Sequence, residues 1–152
     1  MNLLLEHSKF VDYYTYLDPI FEVAPELAEF TYLISDIEIV GEIDERLAHG
    51  PIVISGRNLR AIVEEKKVQF IWAVLSAFDH EPTIPTELPY ADGNSGLWAD
   101  SPRPQMRDAK FEIVCWDSGA TLFIGLEPAV GEKLKQRYPD IRDLDAYNRK
   151  KG

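Results

Sequence analysis

Residues 68–78 read VQFIWAVLSAF, a run that is apolar at almost every position. Such a run is too short to span a membrane and is typical of a strand that is covered on both faces. Successive side chains of a strand point to opposite faces, so Phe70, Trp72 and Val74 are expected on one face and the residues between them on the other. The sequence therefore predicts an interior strand of a sheet here.

Apolar patterns on either side of this run predict further strands. Residues 110–116 and 120–125 flank a short glycine-containing turn at 117–119, which is typical of a β-hairpin. Residues 31–43 alternate apolar and polar side chains, which predicts a strand with one face on the core and the other in water. Residues 52–54 predict one more short strand.

Helical spacing marks three other stretches. Residues 8–17 predict a helix that Asp18 and Pro19 would stop, although the tyrosines of this stretch also suit a strand. A short helix is expected over residues 59–67 and a longer one over 127–139. The predicted fold is α+β, with a mostly antiparallel sheet of about five strands packed by two or three helices.

The segment between residues 79 and 109 shows no period and holds half of the ten prolines. It predicts a long, Pro-rich loop, and loops of this length are uncommon in compact domains unless they function or are disordered. Trp98 in this loop either folds back over the sheet or is exposed for binding, and packing back is the favoured alternative.

The composition limits the class of protein. The chain has 152 residues and a net charge of −10, which suits one domain over residues 1–152 and disfavours nucleic acids and anionic membranes as partners. A single cysteine cannot form an internal disulfide, and residues 1–6 lack the basic start of a signal peptide. We therefore expect a cytoplasmic protein, whose oligomeric state the sequence does not indicate.

No motif indicates catalysis or metal binding. Nucleotide-binding glycine motifs are absent, and His7, His49 and His80 have no ligand spacing between them. Cys115 shares its predicted strand face with apolar residues, which favours a core thiol over a nucleophile. Residues 55–58 suit a helix cap better than an anion site. We therefore expect no catalytic residue, no metal and no cofactor.

Residues 10–45 contain ten acidic residues and no Lys, Arg or His. A field of one sign attracts a basic partner, and tyrosines beside carboxylates suit a protein interface. We therefore predict a basic protein partner. The residues expected to bind it are Glu38, Glu42, Asp44, Tyr13 and Tyr14. The ordinary alternative is a surface that only keeps the protein soluble, with the aromatic residues in the core.

The long loop suggests a different class of function. A small-ligand-binding protein or an enzyme would have its pocket under residues 79–109. The candidate residues there are His80, Glu81, Tyr90, Asp92 and Trp98. A third class is a structural or oligomerising protein without a ligand.

Residues 70–78 (FIWAVLSAF), 89–94 (PYADGN) and 111–118 (FEIVCWDS) resemble small acidic bacterial proteins of unknown function, including the immunity proteins of polymorphic toxin systems. The resemblance covers the second half of the chain and carries over no functional residue. It implies a non-enzymatic bacterial protein that binds and neutralises a toxin domain, often a basic nuclease.

Overall fold

The computed structural model describes residues 1–41, 44–48 and 50–151. The strands within these residues are β1 Leu3–Leu5, β2 Thr31–Val40, β3 Ile52–Ser55, β4 Gln69–Phe78, β5 Phe111–Trp116, β6 Ala120–Ile124 and β7 Arg142–Asp143. They form one sheet in the order β3-β2-β4-β5-β6-β1-β7, in which every neighbouring pair is antiparallel.

Five α-helices and two 3₁₀ helices lie within the same residues. The α-helices are α1 Asp18–Val23, α2 Glu45–Ala48, α3 Gly56–Lys66, α4 Pro128–Arg137 and α5 Leu144–Lys151, and the 3₁₀ helices are Pro25–Glu29 and Ser95–Trp98. The α+β class and the antiparallel sheet are confirmed. The expected numbers of strands and helices were too low. The elements β1, β7 and α2 are only two to four residues long and show no period, and α1 and α5 are also absent from the predicted helices.

β4 is an interior strand, as predicted, with β2 on one side and β5 on the other. The predicted division of its faces is confirmed for Trp72 and Val74 and was wrong for Phe70. Phe70 packs with Ala73 in the core on the helix side, whereas Trp72 packs on the opposite side. The pairing register of β2 and β4 explains the position of Phe70. Ile39 pairs with Phe70 and Glu38 with Trp72, so β4 has one extra residue at this point. The extra residue places Phe70 and Trp72 on opposite faces of the sheet.

The two faces of the sheet are covered by different kinds of structure. Helices α1, α3 and α4 pack on one face, around fully buried residues such as Phe21 and Tyr32. The other face is covered by α5 and by residues 79–109, which we name the cover segment. In the cover segment Ala91 and Leu97 are buried against Val114 and other residues of the sheet. Each face therefore has its own apolar core.

The predicted hairpin is confirmed, because β5 and β6 pair antiparallel from Glu112 and Ile124 to Trp116 and Ala120. The turn differs in detail from the expected one. Asp117 and Ser118 take the two left-handed positions, with φ of 47° and 58°, as a type I′ turn requires.

The starts of two helices are explained by local chemistry. Asp18 and Pro19 open α1 instead of ending a preceding helix, which suits the fixed φ of proline in a first turn. The Ser55 hydroxyl caps α3 by accepting from the Asn58 amide at 3.2 Å, as predicted. Gly56 follows because a Cβ there would lie 2.5 Å from the Ala28 carbonyl oxygen.

Candidate functional site

The chain between β1 and α1 is a loop of irregular turns, residues 6–17, which we name the tyrosine loop. The helix predicted over residues 8–17 was therefore wrong. The Asp140 carboxylate, just after α4, accepts hydrogen bonds from the Ser8 hydroxyl and the Lys9 amide, each at 2.7 Å. These donors, the Ser8 hydroxyl most of all, hold the pKa of Asp140 below its ordinary value. Because the Lys9 amide donates to Asp140, it is not available for a helical hydrogen bond.

The other end of the tyrosine loop is fixed to the start of β4. The Tyr14 carbonyl accepts from the Gln69 side-chain amide at 3.0 Å, and the Thr15 carbonyl accepts from the Phe70 amide at 3.4 Å. Tyr16 forms an isolated antiparallel bridge with Gln69. The loop is thus anchored at both ends, and the residues between the anchors are placed at the edge of the fold.

Thr15 has a left-handed backbone, with φ of 59°, although its side chain is β-branched and buried. Such a conformation costs about 1–2 kcal/mol in an L-residue. Its hydroxyl donates to the Tyr14 carbonyl at 2.6 Å, which fixes the corner. Strained residues of this kind are concentrated at sites where the fold positions a functional side chain.

The two predicted tyrosines of this loop have different environments. Tyr14 is half-buried, and its hydroxyl both accepts from the Ser8 amide and donates to the Ser8 carbonyl. It therefore holds the loop closed. Tyr13 is 72% exposed, and Phe10 beside it is 47% exposed. These two rings are the ones that the loop presents to solvent.

A cavity of about 240 Å³ lies between the tyrosine loop, the start of α1 and the end of α4. Its aromatic walls are Phe10, Tyr13, Tyr14, Tyr16 and Tyr138. Asp12 and Arg137 are the charged residues among those that line it. The cavity is therefore mostly aromatic, with one group of each charge.

The end of β2 lies at the same end of the sheet as the tyrosine loop. Val40 pairs with Gln69, the residue that bridges to Tyr16. Glu38, two residues earlier, is exposed, and Val40 is itself 50% exposed. The fold thus brings the predicted binding residues Glu38 and Tyr13 to one end of the sheet.

Asp44, another of the predicted acidic residues, does not lie free at this surface. Asp44 accepts from the Arg46 guanidinium at 3.0 Å and from the Arg46 amide at 2.9 Å. These bonds, chiefly those of the side chain, lower the pKa of Asp44 to about 2. Asp44 is thus used within the protein. Glu42 lies outside the described residues.

Other acidic residues of the tract are also paired within the chain. Glu26 accepts from Lys133 at 2.6 Å and Glu29 from Arg57 at 3.3 Å. In contrast, no described residue forms an ion pair with Glu38. The negative charge of residues 10–45 is therefore partly paired within the chain, whereas Glu38 is exposed.

Glu112 of β5 attaches the cover segment to the sheet. Its fully buried carboxylate accepts from the Gln105 amide at 2.8 Å, the Met106 amide at 3.3 Å and the Ser76 hydroxyl at 2.8 Å. Burial raises the pKa of Glu112 in spite of these three donors. The carboxylate satisfies backbone donors that the sheet alone cannot reach.

A second attachment lies on β2. Asp36, with a left-handed φ of 53°, accepts from the Ala91 and Asp92 amides at 2.8 and 2.9 Å. The neighbouring Ser35 hydroxyl donates to the Pro89 carbonyl at 2.7 Å. The cover segment is therefore fixed to two strands as well as packed on them.

The candidate residues of the cover segment are dispersed. His80 and Glu81 are exposed and line an open groove of about 570 Å³. Tyr90 is 50% exposed, Asp92 is exposed, and neither is among the residues that line this groove. Trp98 lies against the sheet. The structure brings His80 and Glu81 together and places the other three elsewhere.

Trp98 packs back, as the sequence analysis favoured. Its ring is edge-on to Trp116 at 5.2 Å between centroids, and Trp116 is in turn edge-on to Trp72 at 4.9 Å. On the other side it meets Tyr147 of α5 at 5.9 Å. The half-buried tryptophan is therefore part of the cover rather than an isolated binding side chain.

The structural roles of Glu112, Arg137 and Tyr138 were not predicted from the sequence. Glu112 is the only acidic residue between Phe111 and Trp116, an otherwise apolar strand, and that isolation was the available signal. Arg137 and Tyr138 reach the tyrosine cavity from a distant helix, so no local pattern reveals them. Cys115 is fully buried, and burial raises the pKa of its thiol, in agreement with the predicted core position.

The described residues contain no group of three or more His, Cys, Asp or Glu side chains arranged to hold a metal ion. No helix among them is long and apolar enough to cross a membrane. Comparisons with protein-family models, curated proteins and solved structures found no match to this chain.

Proposed function

We propose that this protein is a non-enzymatic binding module that covers a basic surface of a partner protein, as an immunity protein covers a toxin domain. The observation that carries the proposal is the end of the sheet where β2 stops and β4 begins. There Phe10, Asp12 and Tyr13 of the tyrosine loop and Glu38 and Val40 at the end of β2 are all exposed. We name these five residues the sheet-end surface.

The chemistry of the sheet-end surface is that of an interface. Aromatic side chains supply most of the binding energy at protein interfaces, since they bury a large area with few rotatable bonds. Carboxylates around them orient the partner and accelerate its approach. A partner with exposed Lys and Arg side chains complements both features, and occlusion needs no catalytic group on this protein.

The cover segment supports this proposal rather than the alternative of a ligand pocket beneath it. Ala91 and Leu97 fill the space between the segment and the sheet, and both are buried. Glu112 and Asp36 fix the same segment to the strands. A small-ligand site under it would require these contacts to open.

The test first asks whether one basic protein copurifies stoichiometrically with this chain from the source lysate, and its absence would contradict the proposal. The association rate with that protein is then measured. The variant combines Asp12→Asn with Glu38→Gln, and the matched control combines Glu81→Gln with Asp92→Asn on the cover segment. Both variants lose two negative charges, so any effect of net charge is the same. We expect the first variant to lower the on-rate about threefold or more at low salt and to flatten its salt dependence, with little change in the off-rate.

The control variant should leave the on-rate within about twofold of the unmodified protein, since its charges lie away from the contact. Equal effects of the two variants would mean that only net charge matters. An unchanged on-rate in both would contradict the proposal.

A further inference from the structure

We propose that the tyrosine cavity receives a single Arg or Lys side chain from the partner, which deepens the proposed function and rests on it. The cavity of about 240 Å³ is smaller than the usual range for small-molecule sites, about 300–1,000 Å³. A space of this size suits one long side chain. Its walls then determine which kind of side chain it accepts.

The walls favour a cation. Tyr13, Tyr14, Tyr16 and Tyr138 all line the cavity, and the face of a tyrosine ring attracts an ammonium or guanidinium group within about 6 Å of its centre. The protein already contains one such contact at this place. The Arg137 guanidinium lies 5.1 Å from the centre of the Tyr138 ring.

The cavity is lined by one residue of each charge, and two further carboxylates act on its tyrosines. Asp12 lines it directly. Burial and then the Asp18 carboxylate raise the pKa of Tyr16, which shows that Asp18 acts on that ring. Burial chiefly raises the pKa of Tyr138, on which Arg137 and Glu22 act in opposite directions. Asp18 and Glu22 do not line the cavity, but their negative charges act on two of its tyrosines and add to that of Asp12, which favours a second cation there.

The cavity is also built to keep its shape. The tyrosine loop is bonded to Asp140 at one end and to Gln69 at the other. Tyr14 closes the loop on Ser8, so this ring is held in place before a partner arrives. Tyr13 is the exception, because most of its side chain is exposed. A preformed cage loses little freedom when it takes up a side chain.

The experiment uses the full chain and a small probe, N-acetyl-arginine amide, at physiological ionic strength. The matched probe is N-acetyl-citrulline amide, which has nearly the same shape and no charge. Ring signals of the tyrosines are followed by nuclear magnetic resonance during titration, and Tyr90 on the cover segment serves as the internal reference. We expect saturable shifts of the cavity tyrosines with arginine, at least tenfold weaker binding of citrulline, and no shift of Tyr90.

Two variants sharpen the result. Asp12→Asn should weaken arginine binding about threefold or more, and Arg137→Gln should strengthen it by removing the competing cation. Equal binding of both probes, equal shifts at Tyr90, or no saturable shift would overturn the proposal. So would tight binding of N-acetyl-glutamate amide that Arg137→Gln abolishes, because the cavity would then be an anion site.

The titration needs no protein partner, so its outcome is independent of the proposed function. Failure of arginine to bind leaves the on-rate test of Asp12→Asn with Glu38→Gln untouched. Conversely, failure of that on-rate test leaves an arginine-binding cavity in place.

Discussion

The tyrosine loop and the cover segment are each fixed by a carboxylate, but the two carboxylates lie in different surroundings. Glu112 holds the cover segment from inside the core, where its carboxylate is fully buried. Asp140 holds the tyrosine loop at the surface and leaves Tyr13 mostly exposed. The longer, proline-rich segment therefore completes the core, although it also exposes Ile84, Leu88 and Tyr90. The shorter loop presents Phe10 and Tyr13 to solvent. Length and proline content alone do not indicate a functional loop.

Glu112→Ala is expected to cause the largest loss of stability, and it should affect the cover segment rather than the tyrosine loop. This change leaves the amides of Gln105 and Met106 and the Ser76 hydroxyl without their acceptor, which lowers the stability of the fold. Removal of a buried charge offsets part of that loss of stability. We expect a decrease of about 2–3 kcal/mol in the free energy of unfolding, measured by chemical denaturation. Hydrogen exchange should increase at Gln105 and Met106 while the Lys9 amide keeps its protection.

The control is Glu112→Gln, which keeps one oxygen acceptor and nearly the same volume. It should cost clearly less than the alanine variant. A cost below about 0.5 kcal/mol for Glu112→Ala would mean that the cover segment does not depend on this carboxylate.

A smaller effect is expected from Asp36→Gly. Glycine accepts the left-handed φ of this position, so the change mainly removes the carboxylate that binds the Ala91 and Asp92 amides. We expect a loss of about 1–2 kcal/mol and faster exchange at these two amides. Asp36→Asn retains an acceptor and tolerates the same backbone, and it should stay close to the unmodified protein. Equal exchange in all three proteins would argue that apolar packing alone holds this part of the segment.

The sequence indicated the central strand and the hairpin because both depend on local patterns. The run over residues 68–78 is apolar on both faces, and the turn at 117–119 has the required residue types. The tyrosine loop was mistaken for a helix because its helical spacing is local, whereas the groups that determine its conformation, Asp140 and Gln69, are distant in the chain. Contacts between distant residues leave no pattern in a single sequence.

The candidate site was predictable only where it depends on local patterns in the sequence. Exposed Glu38 could be placed by strand alternation, which also put Asp44 on the solvent face. Alternation does not show that Arg46 folds back on Asp44, since that pairing depends on the short helix α2. Arg137 and Tyr138 join the cavity only through the tertiary fold.

A modest effect is expected from Tyr14→Phe. The change removes the hydroxyl that bonds to the Ser8 backbone and keeps the ring. We expect a loss of about 0.5–1.5 kcal/mol in the free energy of unfolding and faster exchange at Ser8. Tyr13→Phe is the matched control, and it should change neither quantity, because no described group is bonded to the Tyr13 hydroxyl. If both variants behave alike, Tyr14 does not close the loop.

The two regions should also respond to pH with opposite sign. The pKa of Asp140 is lowered from its ordinary value of 3.8, so its stabilising contribution is present above that value and is lost as the pH falls through the lowered pKa. The pKa of Glu112 is raised from 4.5, so its contribution is present below that value and is lost as the pH rises through the raised pKa. Acidification should therefore release the tyrosine loop before the cover segment.

Hydrogen exchange protection factors, corrected for the intrinsic effect of pH, measure this difference. Protection of the Lys9 amide should fall as the pH is lowered from 5 to about 3, whereas that of Gln105 and Met106 should hold. A parallel loss of protection at all three amides would remove the distinction between the regions.

The most direct test of the account places a photocrosslinking residue, p-benzoylphenylalanine, at Tyr13 in one protein and at Tyr90 in another. Both tyrosines are exposed, at 72% and 50%, and each belongs to one of the two regions compared. The account predicts that position 13 crosslinks in the source lysate to one basic protein, less efficiently at high salt, and that position 90 does not. Crosslinking of that partner from position 90, or from neither position, would contradict the assignment of the sheet-end surface as the binding site.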